Sequence, residues 1–199
     1  MTAFLDKIFG SKIEVDMAKA GLEAELSFLE ARMDTHLAKR VLEGGDSPDI
    51  LTKYTAFLKE MLALDMHTVI SIGKELDLLA AYLDLYQGSE KQDLFIRFDP
   101  AVDCTKMVPP LVIFPLVGNA LQYGYNSMER YPLKIKVRAF EKMLTVEVSN
   151  RINHYVASQG ETLIIHRYRN RLLSLFPDRH TLFSNSNSNT FKATLQIRW

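Results

Sequence analysis

Residues 115–124 read "PLVGNALQYG". Their apolar positions recur at helical spacing, which predicts a buried helix. Two residues interrupt it. Gly118 is a poor helix former, and Asn119 puts a polar amide where packing should be densest. A buried amide is stable only when hydrogen-bonded, so Asn119 either bonds locally or serves a ligand.

The bulk of the chain bounds the choice. Its 199 residues suffice for one large domain or two small ones with a sizeable core. Lysine plus arginine number 24, as do aspartate plus glutamate, so no net field draws the protein toward nucleic acid or an anionic membrane. Cys104 is the one cysteine, which excludes a disulfide framework and a cysteine-rich zinc site and makes a reducing compartment the default. No apolar run approaches the roughly 20 residues that span a bilayer. The start, "MTAFLDKIFGSK", lacks the long apolar core of a signal peptide. A cytoplasmic protein is expected.

Upstream of the opening stretch the pattern is helical. Leu22, Leu26, Leu29, Met33, His36 and Arg40 follow one another at four- and three-residue steps, predicting one long helix from Met17 to Leu42. "GGDSPD" (44–49) ends it and starts another, with Ser47 as cap and Pro48 in the first turn. This second helix carries Ile50, Leu51, Tyr54, Phe57, Leu58 and Met61 on one side, so the two can pair as an antiparallel hairpin. A third helix, from about Ser71 to Gln87, has an apolar stripe of Leu76, Leu79, Tyr82 and Leu83.

After residues 88–93, "GSEKQD", alternation replaces the helical period. "LFIRFD", "LKIKVRAF" and "MLTVEVSN" read as half-buried strands, the last two forming a hairpin across "EK". A helix from Thr162 to Leu175, a short strand near His180 to Phe183, a polar "SNSNSN" turn and a final strand "TFKATLQIR" complete the chain. The predicted fold is α+β: an N-terminal helical hairpin over residues 1–88, then an α/β sandwich over residues 89–199, divided near Ser89.

Common catalytic signatures do not occur. The chain has no phosphate-binding P-loop, zinc-protease or nucleophile-elbow motif, and its five histidines are scattered without metal-ligand spacing. Arg167, Arg169 and Arg171 form a basic run, but the neutral balance and the want of interleaved exposed aromatics argue against a nucleic-acid partner.

"VPPLVIFPLVGNALQYG" (108–124) resembles the "PPLLLQPLVENAIKHG" segment of the LytS-type, or autolysin-sensor, family of bacterial sensor histidine kinases. "ELDLLAAYLDLYQ" (75–87) is similar to that family's "EIEYLKNYIELQK", and "RLLSLFPDRHTL" (171–182) to its "RLELLYPDRHEL". "ELSFLEARMDTHLAKRVL" (25–42) resembles "ELAFLKAQINPHFLFNTL", the helix that holds the phosphorylated histidine. The resemblance runs from about Glu25 to Trp199. It implies a helical, histidine-containing dimerisation unit followed by a Bergerat, or GHKL-type, ATPase-like sandwich.

The resemblance also assigns roles. His36 becomes the candidate phosphoacceptor, and Asn119 a Mg²⁺ ligand in a pocket for ATP, with Tyr123, Asn150 and Arg167 beside the nucleotide. Several positions depart from the pattern. Gly118 stands where the family has glutamate and Tyr123 where it has histidine. The family's "GGIGLENV" reads "ETLIIHRY" (161–168), so Thr162 and Ile164 replace glycines and Arg167 replaces the asparagine. β-Branched residues do not take positive φ cheaply, and this loop cannot cradle phosphate in the same shape. "VEVSNRINH" offers Asn150 but no aspartate for the adenine amino group, while Arg167 and Arg169 could hold phosphate by charge. Around the acceptor, "NPHF" is "DTHL", which keeps His36 without the helix-bending proline.

The implied function is a sensor histidine kinase-like protein of a two-component phosphorelay with an impaired or lost ATP site. Its cofactors would be ATP and Mg²⁺ if active, or none. Its partners would be a response regulator and a second copy, paired through Leu22, Leu26, Leu29 and Met33 with Tyr54, Phe57 and Met61. An ATP-independent histidine phosphotransferase or regulator-docking pseudokinase is the alternative, and a structural interaction module a third.

Overall fold

A computed structural model describes residues 2–43, 48–89, 93–124, 126–155, 159 and 162–199, with side chains from Val15 onward. The expected Ser47 cap lies outside them. Six helices and seven strands occur among the described residues: α1 (Thr2–Arg32), α2 (Thr35–Glu43), α3 (Pro48–Leu62), β1 (Ile70–Ser71), α4 (Ile72–Ser89), β2 (Ile96–Asp103), β3 (Met107–Val108), α5 (Phe114–Tyr123), β4 (Leu133–Phe140), β5 (Met143–Arg151), α6 (Leu163–Leu175), β6 (His180–Ser186) and β7 (Thr190–Arg198).

The long N-terminal helix of the sequence reading is two helices. Asp34 breaks it: its Oδ1 accepts the backbone N–H of His36 at 2.8 Å and of Leu37 at 3.1 Å, capping α2. The bend expected only with a proline is thus made by a carboxylate that competes with the helical ladder. α2 and α3 pack on one another and on α4.

The sheet runs β2-β4-β5-β7-β6, with β2 parallel to β4 and all other pairs antiparallel. β2 continues through Pro100 to Asp103, four residues past the alternating pattern, because an edge strand can spare a donor. Likewise β6 takes in Ser184–Ser186, leaving a turn closed by Asn187, whose Oδ1 accepts from the N–H groups of Asn189 and Thr190.

Alternation turns Leu133, Ile135, Val137 and Ala139 of β4 inward with Leu144, Val146 and Val148 of β5 and Ala193, Leu195 and Ile197 of β7. They join the apolar faces of α4, α5 and α6 and the α3 side chains Phe57 and Met61 in one contiguous core. Phe57 and Met61, expected to meet a second copy, are therefore spent inside the chain, with Phe57 6.1 Å from the Tyr82 ring.

The α1 helix lies along α6 using the face opposite its leucine stripe. Ala24, Ser27 and Phe28 are buried, and the Arg171 guanidinium stacks 5.1 Å from the Phe28 ring. Glu23 meets His166 at 3.2 Å and Asn170, and Glu30 pairs with Arg167. Leu22 and Met33 remain 62% and 51% exposed.

Candidate functional site

The inward row of β5 ends in Asn150, so the strand's own alternation buries an amide at the sheet's rim. Facing it, α5 buries Asn119. Gln159 joins the two. Its backbone oxygen accepts Asn119 Nδ2 at 3.1 Å, its Nε2 donates to Asn150 Oδ1 at 2.9 Å, and its Oε1 accepts Asn150 Nδ2 at 3.1 Å. Thr162 completes the cluster by donating its hydroxyl to Asn119 Oδ1 at 2.6 Å while capping α6 through Ile165 N at 3.4 Å. Gly124 permits this closeness, since a Cβ there would come within 2.4 Å of Asn150 Nδ2.

A buried latch sets where α5 starts. Glu75 of α4 is fully buried and accepts the N–H of Leu111 at 2.7 Å and of Ile113 at 2.9 Å. Arg171 of α6 donates to the oxygens of Pro110 at 2.5 Å and Leu111 at 3.0 Å. Between them Leu111 is held at φ 60°, a conformation that costs a branched residue energy and persists because its polar groups are clamped from both sides. Burial pushes the Glu75 carboxyl up to about 7, against its backbone hydrogen bonds and the Arg171 charge, and pulls Arg171 down to about 10.

His36 belongs to a second network. Asp34 Oδ2 accepts the hydroxyls of Tyr82 at 2.5 Å and Tyr86 at 2.6 Å, which burial and then neighbouring charge hold protonated. His36 stacks on Tyr86 with ring centroids 6.2 Å apart, and its Nδ1 receives Arg40 Nε at 3.2 Å. Arginine can only donate, so Nδ1 carries the lone pair and Nε2 the hydrogen. Desolvation, with Arg40 and Lys39 outweighing Asp34, keeps the ring below its ordinary pKa and neutral at pH 7.

A cavity of about 360 Å³ opens beside this second network. Asp34, Thr35 and Tyr82 line one side; Gly118, Gln122 and Tyr123 of α5 and Ile164 of α6 line another. Of the residues that the resemblance places around a nucleotide, the fold brings Asn119 and Asn150 together through Gln159 and turns Tyr123 to the cavity. Arg167 faces Glu30 of α1, and Arg169 donates to Leu182 O at 3.1 Å. Among the described residues no group of three or more histidine, cysteine, aspartate or glutamate side chains could hold a metal ion.

Gln159, Glu75, Arg171 and Asp34 carry this architecture, and sequence reasoning gave none of them a role. Two had a signal: Glu75 sits at helical spacing with Ile72, Leu79, Tyr82 and Tyr86, and Arg171 with Tyr168 and Leu172, charges set in apolar seams. Gln159 had none.

No protein-family profile matches the chain. It is similar to the sensor protein LytS of Staphylococcus saprophyticus, 25% identical over 159 residues covering 73% of this chain and 27% of that protein. With the sensor protein LytS of Enterococcus faecalis it shares 26% identity over 159 residues, 72% of this chain and 27% of the relative. The chain thus spans about a quarter of the length of the curated relatives it matches. Among solved structures, the Acinetobacter baumannii histidine kinase AdeS covers 82% of this chain over 93% of its own at 13% identity and a TM-score of 0.48. The histidine kinase domain of the Erythrobacter litoralis blue-light activated kinase covers 88% over 95% of its own at 16% identity and 0.46.

Proposed function

We propose, from the premise that this chain is LytS-like in sequence over most of its length, that it is a histidine kinase-like signalling protein of a two-component system that works without ATP. One observation carries the reading: the amides that the family resemblance turns toward nucleotide are paired with the chain's own Gln159 and Thr162. Mg–ATP does not fit these residues. The oxygen expected to bind the metal already accepts a hydroxyl, the carboxylate expected beside it is Gly118, and Gln159 takes the hydrogen-bonding edge of Asn150. Calorimetric titration with ATP and Mg²⁺ tests this. Binding weaker than about 1 mM is expected. Micromolar, Mg²⁺-dependent binding lost in Asn119→Ala would overturn it.

The state of His36 favours a phosphotransfer role over a purely structural one. A neutral, half-buried imidazole can take phosphate from an aspartyl phosphate of a response regulator. The acyl P–O bond breaks, a P–N bond forms at the ring nitrogen that bears the lone pair, and the hydrogen on the other ring nitrogen passes to the released carboxylate. Incubation with a phosphorylated regulator should place acid-labile label on His36. Label that survives His36→Ala would reject the assignment, and no label at all would leave regulator docking as the function.

Residues 1–88 are read as the helical unit and 89–199 as the sandwich of a cytoplasmic homodimer. Support for pairing comes from Leu22, Leu26, Leu29 and Met33, an apolar stripe left exposed on α1. Light scattering should give a dimer that Leu29→Asp splits. A monomeric mass for the unmutated protein would remove the pairing.

A further inference from the structure

We propose that the cavity beside the α1–α2 break is a binding site for an uncharged or cationic small molecule with a flat apolar body, an effector joining the helical unit to the sandwich. Its volume of about 360 Å³ lies within the range of small-ligand pockets. Its walls include Met33, Phe114, Pro115, Leu163 and Ile164, giving apolar surface from α1, α5 and α6. Space is kept open by Gly118: a Cβ there would already stand 3.4 Å from the Tyr82 hydroxyl.

The polar groups around that space are the informative part. Ser27 is only 3% exposed and lines the cavity, so its hydroxyl can donate and accept at that wall. Gln122 lines the same space and adds both donor and acceptor capacity.

Charge decides the class of ligand. Among the described residues no lysine, arginine or histidine lines the cavity, whereas Asp34 does, together with Glu30, which is paired with Arg167. A phosphate or carboxylate would enter beside the Asp34 carboxylate with no cation on the described lining to receive it, so anionic ligands are disfavoured. A bound molecule would touch Ser27 on α1 and Gly118 on α5 together, and so bias how the helical unit seats on the sandwich. The inference rests on the preceding reading in one respect, that no nucleotide phosphate occupies this space.

Three indole compounds of similar size make the test: tryptamine as cation, tryptophol as neutral molecule and indole-3-propionate as anion, each titrated into the full chain by protein-observed NMR. Expected are saturable binding of tryptamine and tryptophol at about 1 mM or tighter, at least tenfold weaker binding of the anion, and loss of binding in Gly118→Leu. Ser27→Met, which fills the cavity from the opposite wall, should abolish binding as well and serves if Gly118→Leu does not fold. The proposal is overturned by no saturable binding of either compound, by equal binding of the anion, or by binding that survives both variants. ATP is titrated separately. Tight ATP binding with tryptamine still bound would sink the ATP-independent reading alone, and failure of the indoles with no ATP binding would sink this one alone.

Discussion

Asn150 and Gln159 exchange two hydrogen bonds, of 2.9 and 3.1 Å, so each amide satisfies the other's donor and acceptor edge away from water. Gln159 also holds Asn119 through its backbone oxygen at 3.1 Å. Gln159 thereby couples the last inward residue of β5, through its side chain, to the middle of α5, through its backbone. Paired buried amides contribute modestly, but a single one left unpaired costs its full desolvation.

Gln159→Ala and Asn150→Ala should each lower stability by about 1–3 kcal/mol. The double variant should lose much less than the sum, because each single change orphans the other amide. Urea unfolding of the four proteins measures the coupling. Additive losses would mean that the pair is not formed in solution.

Stability should fall as pH rises across the neutral range, through Glu75. Its folded-state pKa of about 7 lies above the ordinary 4.5, so the folded protein holds this proton more tightly than the unfolded chain. The contribution is fully present below about pH 4.5 and is lost as pH climbs through about 7. Urea midpoints at pH 5 and pH 8 should differ less in Glu75→Gln than in the unmutated protein. The variant should also be less stable at both, by about 1–3 kcal/mol, for want of a second acceptor for Leu111 and Ile113. An identical pH slope in both proteins would refute the assignment.

Asp34→Ala removes a helix cap, worth about 1 kcal/mol, and strands the Tyr82 and Tyr86 hydroxyls. A total loss of roughly 3 kcal/mol is expected. Asp34→Asn, which keeps an acceptor for the cap, should lose less. Hydrogen exchange at Leu37 N–H should accelerate in the alanine variant, and unchanged protection there would contradict the role given to this carboxylate.

Gly118→Ala should stabilise the protein by up to about 1 kcal/mol, since glycine in a helix interior is unfavourable and the new Cβ makes an ordinary 3.4 Å contact with Tyr82. Thermal unfolding reads this directly. A lower melting temperature would show that the helix around Gly118 cannot accept even a methyl group.

Local pattern determined much of this protein. Alternation fixed β4 and β5 and even turned Asn150 to the buried face, and helical spacing placed α3, α4, α5 and α6 within a few residues. Those periods express which side of an element is apolar, and each is written in neighbouring residues. What covers that side is not written there. On α1 the more apolar stripe of Leu22, Leu26 and Leu29 stays exposed, while Ala24, Ser27 and Phe28 dock, because Arg171 of α6 stacks on the Phe28 ring and Arg167 and Asn170 hydrogen-bond to the flanking Glu30 and Glu23. The tertiary structure alone decided that Asp34 would break a helix, with two tyrosines about 50 residues away to hold its other oxygen. It alone set Glu75 against Leu111, 36 residues on, and Thr162 against Asn119, 43 residues back. Hydrogen bonds between distant side chains have no period, so only the packed chain reveals which polar groups satisfy one another.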